Sequence, residues 1–171
     1  MTIAASLLPE FDHEMASSRR VLERVPEAQA GWKPHNKSYS LGDLAAHVAQ
    51  LPLWISVMLG QPELDLASPE AQDGMERRFT TTADLLARFD RTIAEARTAL
   101  ARASDADMMA PWTLRNGRAP IFTLPRVGVL RSFVMNHLIH HRGQLTVYLR
   151  LRDVPLPGMY GPTADEAGFG S

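Results

Sequence analysis

Apolar residues recur every three to four positions in four long stretches of the chain, which is the period of an amphipathic helix. These stripes predict helices over about residues 4–24, 40–60, 82–103 and 125–152. Pro52 lies inside the second stretch and has no N–H to donate to the carbonyl of Val48. We therefore expect a kink in that helix.

The segments between these helices differ in length and composition. Residues 61–81 are rich in Pro, Asp, Glu and Ser and predict a long crossover. Within residues 108–124, the dipeptide Asn116-Gly117 favours a small β-hairpin before the last helix, because both residue types tolerate positive φ. The tail after Arg152 is rich in proline and glycine, which predicts extended chain.

Four long helices in a chain of 171 residues predict one all-α domain, spanning residues 1–171 and built as a four-helix bundle. The 18 Lys and Arg residues are balanced by 19 Asp and Glu residues, so the chain lacks the basic excess that nucleic-acid binders carry. No stretch approaches the roughly 18 consecutive apolar residues of a membrane span. We therefore expect neither a nucleic-acid partner nor a membrane partner.

The chain contains no cysteine. Disulfides, cysteine nucleophiles and thiolate ligands are thereby excluded, and any bound metal would have mainly nitrogen and oxygen ligands. The first ten residues lack the basic start and the long apolar run of a signal peptide. Both features are compatible with a cytoplasmic protein, which is the location that we expect.

The most informative run is 136–145, which holds three of the six histidines. His137 and His141 are four residues apart in a strong helical pattern, so their rings share one face, with Cβ atoms roughly 5–6 Å apart. Two imidazoles so placed can bind one divalent ion at about 2.0–2.1 Å each. Buried without such a partner, they would cost free energy. His47, on the apolar face of the second helix, is the candidate for a third ligand.

Simpler interpretations compete with a metal site. A single histidine on an apolar face is usually a core residue with a satisfied hydrogen bond. Three histidines bound to one ion would instead leave one coordination position of that ion open, as in catalytic metal sites. His140 points about 100° around the helix from His141, so we predict that it is not a ligand. Asp43, one turn before His47, either orients that ring or places a favourable charge at the helix N-terminus. Four further side chains are candidates for the pocket wall: His13, Trp54, Trp112 and Tyr148.

Three segments carry a resemblance to a known family. They are Leu41-Gly-Asp-Leu-Ala-Ala-His47 followed by Trp54, the run Asn136-His137-Leu-Ile-His140-His141-Arg-Gly-Gln144-Leu145, and Val154-Pro-Leu-Pro-Gly-Met-Tyr160-Gly-Pro162. These segments, with their order and spacing, resemble those of the DinB/YfiT-like superfamily of metalloenzymes. The resemblance extends over nearly the whole chain.

The resemblance implies an up-down-down-up four-helix bundle, commonly a homodimer. It also implies a divalent ion, zinc or nickel, held by His47, His137 and His141. The known activities of that family are mostly transfers of low-molecular-weight thiols such as bacillithiol or mycothiol, together with an isomerisation of maleylpyruvate. Many of its members have no known activity.

Two functions are the main candidates. One is a thiol-dependent S-transferase acting on a small-molecule substrate, in which the thiol is a co-substrate because the chain has no cysteine. The other is a non-catalytic, stress-related metal-binding protein in which the ion only joins helices. A metal-dependent hydrolase or isomerase is a further alternative, although no acidic residue adjoins the histidine pair as in the His-Glu-x-x-His proteases.

Overall fold

The computed structural model describes residues 1–74 and 78–166. In chain order, its helices are α1 (Ile3–Leu22), α2 (Leu41–Gln50), α3 (Leu53–Gly60), α4 (Pro69–Gly74), α5 (Thr82–Arg102), α6 (Asp105–Met109), α7 (Arg126–Gly128) and α8 (Asn136–Arg150). Its strands are β1 (Glu63–Asp65), β2 (Pro111–Asn116) and β3 (Ala119–Pro125). The described chain is therefore mostly helical, as predicted, and its five helices of eight or more residues surround one core.

The long helices bury their apolar stripes against one another. Helix α1 packs on α5 and α8, α3 packs on α5, and α2 packs on both α8 and α5. Buried side chains along these contacts include Phe11, Leu44, Phe89, Leu138 and Leu145. Each such side chain contributes about 1.5–3 kcal/mol by leaving water. No helix within the described ranges has the length and apolar run that crossing a membrane requires.

The predicted second helix is two helices, because the chain divides at Pro52 rather than only bending there. Pro52 cannot donate to Val48, and the backbone closes the gap with tighter bonds over three residues. The N–H of Trp54 donates to the Leu51 carbonyl at 3.2 Å, and that of Ile55 donates to the Pro52 carbonyl at 3.1 Å. The prediction of one kinked helix was therefore wrong, and the described chain has five long helices rather than four.

The predicted last helix is also interrupted. Residues Val129–Met135 form a π-helical segment between α7 and α8, and the N–H of Asn136 donates to the Arg131 carbonyl five residues back. Such a segment carries an extra residue in each turn and is frequent near functional sites. This segment ends two residues before His137. Its wider turns therefore change the direction in which the first side chains of α8 point around the helix axis.

The predicted hairpin is present and belongs to a larger sheet. Strands β2 and β3 are antiparallel, and the turn between them contains Gly117 with a φ of +59°. Strand β1, from the predicted crossover, pairs in parallel with β2. The sequence analysis missed β1, because three residues are too short for a recognisable strand pattern. Arg115 on β2 binds two carboxylates of β1, Glu63 at 3.0 Å and Asp65 at 2.7 Å.

The start of α2 is fixed by a cap and by a close approach. The Ser40 hydroxyl accepts a hydrogen bond from the Asp43 N–H at 3.1 Å, so Ser40 is the N-cap of α2. At Gly42, an added Cβ would lie 2.9 Å from the Cβ of Phe79 and 3.0 Å from that of Ala30. Glycine is therefore required where these two neighbours press on the helix that carries His47.

A buried ion pair joins α1, α8 and the C-terminal tail. The side chains of Arg142 and Glu14 are 1% and 6% exposed and lie 2.6 Å apart. Arg142 also donates to the Ser18 hydroxyl at 3.2 Å. The Tyr160 hydroxyl accepts from Arg142 at 2.6 Å and donates to the Glu14 carboxylate at 2.8 Å. Burial and the Glu14 carboxylate raise the pKa of Tyr160, so this phenol stays protonated near neutral pH.

Replacing Glu14 with Ala should lower the free energy of unfolding by about 3–5 kcal/mol, because the Arg142 guanidinium would be left buried without its carboxylate. Urea unfolding followed by circular dichroism measures the loss. Glu23→Ala is the control, since Glu23 pairs with Arg19 on the exposed face of α1 and its removal should cost less than about 1 kcal/mol. Equal losses in the two variants would contradict the assigned role of the buried pair.

Candidate metal centre

Three histidines from two packed helices form one cluster. His47 comes from α2, and His137 and His141 come from successive turns of α8. One ring nitrogen from each lies within 4.8 Å of the others. The ring centroids are separated by 4.5 to 5.0 Å. The fold therefore brings together the three residues that the sequence analysis predicted as ligands.

The spacing within the cluster fits a tetrahedral ion. The Nε2 atoms of His47 and His137 are 3.3 Å apart. Two nitrogens bound at 2.0–2.1 Å to a tetrahedral ion are themselves about 3.3–3.4 Å apart, so these two rings need little movement to share one. Imidazole donors suit zinc and nickel, and also copper and iron, so the donor set does not itself select one metal.

The third ring is held by a neighbouring amide. The Nδ1 atom of His141 lies 2.7 Å from the Oε1 atom of Gln144. An amide oxygen there requires the proton on Nδ1, which makes Nε2 the nitrogen through which His141 would bind an ion. The sequence analysis gave Gln144 no role, although its position three residues after His141 on a helix was a usable signal.

The cluster is buried on one side and open on the other. His47 is 4% exposed, whereas His137 and His141 are only half-buried. The ring of Phe133 lies 5.7 Å from that of His137, and Trp54 packs on Phe133 at 5.0 Å. These two rings form an apolar wall beside the histidines. The sequence analysis named Trp54 for this role but not Phe133, which belongs to the π-helical segment.

Other predicted pocket residues lie further from the cluster. Trp112 is fully buried, perpendicular to Trp54, and its indole N–H has no hydrogen-bond partner among the described residues. Tyr148 packs edge-on against Trp32 at 5.8 Å. His13 is exposed on α1 beside the C-terminal tail. A role for these three in a pocket stays a prediction.

Two polar neighbours of the histidines lie outside the cluster. His140 is exposed, and its ring contacts that of His141 with centroids 4.9 Å apart. Asp43 occupies the first turn of α2, where a negative charge interacts favourably with the helix dipole. Among the described residues the candidate ligand group consists of histidines alone.

Comparison with solved structures supports the fold. A DinB-like protein from Bacillus cereus superposes with a TM-score of 0.70 at 20% identity, over 93% of this chain and 98% of that one. The DinB-like protein YjoA of Bacillus subtilis gives a TM-score of 0.67 at 16% identity, over 89% and 96% of the two chains. At these identities the likeness establishes the shared fold.

Sequence comparison gives the family. A stretch of 44 residues is 48% identical to the uncharacterized protein YrdA of Bacillus subtilis, and the match spans about a quarter of that protein, 26% of its length. The model of the DinB superfamily matches residues 10–145, a range that contains all three clustered histidines. Since this match extends over most of the chain, the protein belongs to the DinB superfamily.

Proposed function

We propose that this protein is a metal-dependent enzyme that transfers a low-molecular-weight thiol to an electrophilic small molecule. Its divalent ion, zinc or nickel, would be held by His47, His137 and His141. The observation that carries the proposal is the approach of three histidine nitrogens within 4.8 Å, with two Nε2 atoms at tetrahedral spacing. Membership of the DinB superfamily supports it.

Three protein ligands leave one position of a tetrahedral ion for a substrate. When bound, such an ion supplies a positive charge that lowers the pKa of a thiol or a water in that position. Histidines are neutral donors, so the ligands themselves do not offset this charge. Because the chain has no cysteine, the thiol has to be a co-substrate.

The residues of the chain itself would hold the site in shape. His47 is fixed by burial in the α2–α8 contact. Gln144 holds the His141 ring through Nδ1. Phe133 packs against the His137 ring, and Trp54 packs against Phe133. The substrate would approach from the half-buried side of α8.

A non-catalytic role for the ion is the second candidate. An ion bound to His47 and to the α8 pair would join two helices that already pack together. The tighter the ion binds, the more it would raise the free energy of unfolding. Hydrolysis has less support, because the cluster includes no carboxylate that could act as a general base. An isomerase reaction would use the same thiol co-substrate.

Replacing any one of the three clustered histidines with Ala should reduce the metal content from about one ion per chain to below roughly a tenth, because two-ligand sites are weak. Metal analysis after dialysis measures this. His140→Ala is the matched control, because His140 is adjacent to His141 and is predicted not to bind the ion. Stoichiometric metal in the His141→Ala protein, or loss of metal in a folded His140→Ala protein, would contradict the ligand assignment.

Gln144→Ala should weaken metal binding by about 10–100-fold, because the His141 ring would lose the acceptor that sets its proton and its orientation. Competition with a chromophoric chelator measures the affinity. Val147→Ala, an exposed change on the same helix, is the control and should leave the affinity unchanged. Equal affinities in the two variants would show that Gln144 does not position the ring.

A low-molecular-weight thiol should bind the metal-loaded protein and release about one proton, because the ion favours the thiolate. Calorimetry in buffers of different ionisation enthalpy reports that proton. Chelated protein is the control and should neither bind the thiol nor release the proton. If no member of a thiol panel binds the loaded protein, the transferase proposal fails and the metal-joining role gains support.

We also propose a homodimer, formed through the outer face of α8. Val147 and Leu151 lie one turn apart there and are 57% and 56% exposed. Light scattering at micromolar concentration should give twice the chain mass of 18.9 kDa, and the double variant Val147→Glu, Leu151→Glu should be monomeric. A monomer mass for the unmodified protein would contradict the proposal.

A further inference from the structure

A cavity of about 660 Å³ lies between α3 and the small sheet. Its lining comes from the end of α2, from one side of α3, and from the segment around β1 and β2. That volume is in the range of sites that enclose a small organic molecule.

The cavity begins one turn away from the candidate metal ligand. Gln50 lines it and follows His47 by three residues on α2, so both side chains lie on one side of that helix. Trp54 also lines it and packs on Phe133, whose ring in turn contacts that of His137. Gln50 and this pair of aromatic rings therefore connect the cavity to the candidate metal centre.

One end of the cavity is apolar. Leu53, Trp54 and Val57 line this end. Ser56 also lines it, but its Oγ atom is buried beneath the cavity surface. An occupant at this end would therefore meet mainly apolar side chains.

Within residues 1–74 and 78–166, the charged side chains that line the opposite end are two carboxylates and one guanidinium, an excess of negative charge. Arg115 is bound by Glu63 at 3.0 Å and by Asp65 at 2.7 Å, so two carboxylates face one guanidinium. Asp65 is fully engaged, since it also accepts from the N–H groups of Ala67 and Gly117, and these bonds lower its pKa. Glu63 is half exposed and binds only Arg115 among the described residues, so it is the carboxylate with capacity to accept from an occupant.

We propose that this cavity binds a small molecule with an apolar body and a cationic amine end, the amine lying at Glu63 and the body along Trp54 and Val57. The idea that this molecule is the electrophilic substrate rests on the proposed function. Binding of the molecule in the cavity does not depend on the metal. A carboxylate or phosphate of the same shape is disfavoured, because it would meet the excess negative charge.

The test uses two probes of equal length, 4-phenylbutylamine and 4-phenylbutanoate, titrated into the full chain by calorimetry at pH 7.5. Metal-loaded and chelated protein are measured side by side. The amine should bind at least about fivefold more tightly than the carboxylate, since an exposed charge pair contributes about 1 kcal/mol. Val57→Trp, which fills the cavity, should weaken the amine about tenfold or more.

Glu63→Gln should remove the preference for the amine, whereas Glu23→Gln should leave it intact. Glu23 is the matched control, because it is a similarly exposed carboxylate paired with an arginine on α1. Equal binding of the two probes, or amine binding that neither Val57→Trp nor Glu63→Gln weakens, would overturn the assignment. Metal content measured on the same samples distinguishes the cavity proposal from the proposed function. A preference for the amine in a protein that binds no metal would contradict the proposed function and support the cavity proposal.

Discussion

The packing of α2 against α8 is the contact on which the candidate site depends. It places a buried imidazole, His47, against the ring of His137 with 3.3 Å between their Nε2 atoms. Two imidazole nitrogens held so closely, one of them on a buried ring, are costly unless they share a proton or an ion. Helix packing thus creates a ready place for a cation, and it does so with neutral donors that leave the charge of a bound ion available for chemistry.

The elements around this contact restrict how the two helices can move. On one side, Gly42 allows Ala30 and Phe79 to press on the start of α2. On the other, the buried pair of Arg142 and Glu14 ties α8 to α1 directly after His141. A buried charge whose partner is displaced costs several kcal/mol, so α8 can rotate little without breaking this pair. The metal ligands are therefore oriented by parts of the fold that do not touch them.

The aromatic pair of Trp54 and Phe133 separates two chemically different spaces. The histidine side offers neutral nitrogen donors. The cavity side offers an apolar wall and, at its far end, two carboxylates around one guanidinium. A reaction between a thiol at the ion and a substrate held in the cavity would need both spaces. The small sheet contributes the charged end, because pairing of β1 with β2 brings Glu63 and Asp65 to Arg115.

The sequence by itself determined the mostly helical fold, the hairpin and the pairing of His137 with His141 on one helix face. These follow from local rules: the 3.6-residue period of apolar positions, the turn preference of Asn116-Gly117, and the one-turn spacing of His137 and His141. Proline chemistry marked Pro52 as an interruption, and the tertiary structure decided that the helix divides there instead of only bending. It also decided that His47 reaches the pair on α8, that residues Val129–Met135 are π-helical, that β1 joins the sheet, and that the cavity exists. The contacts of His47 with His137 and of Glu63 with Arg115 join residues far apart in the chain, and no local pattern encodes them.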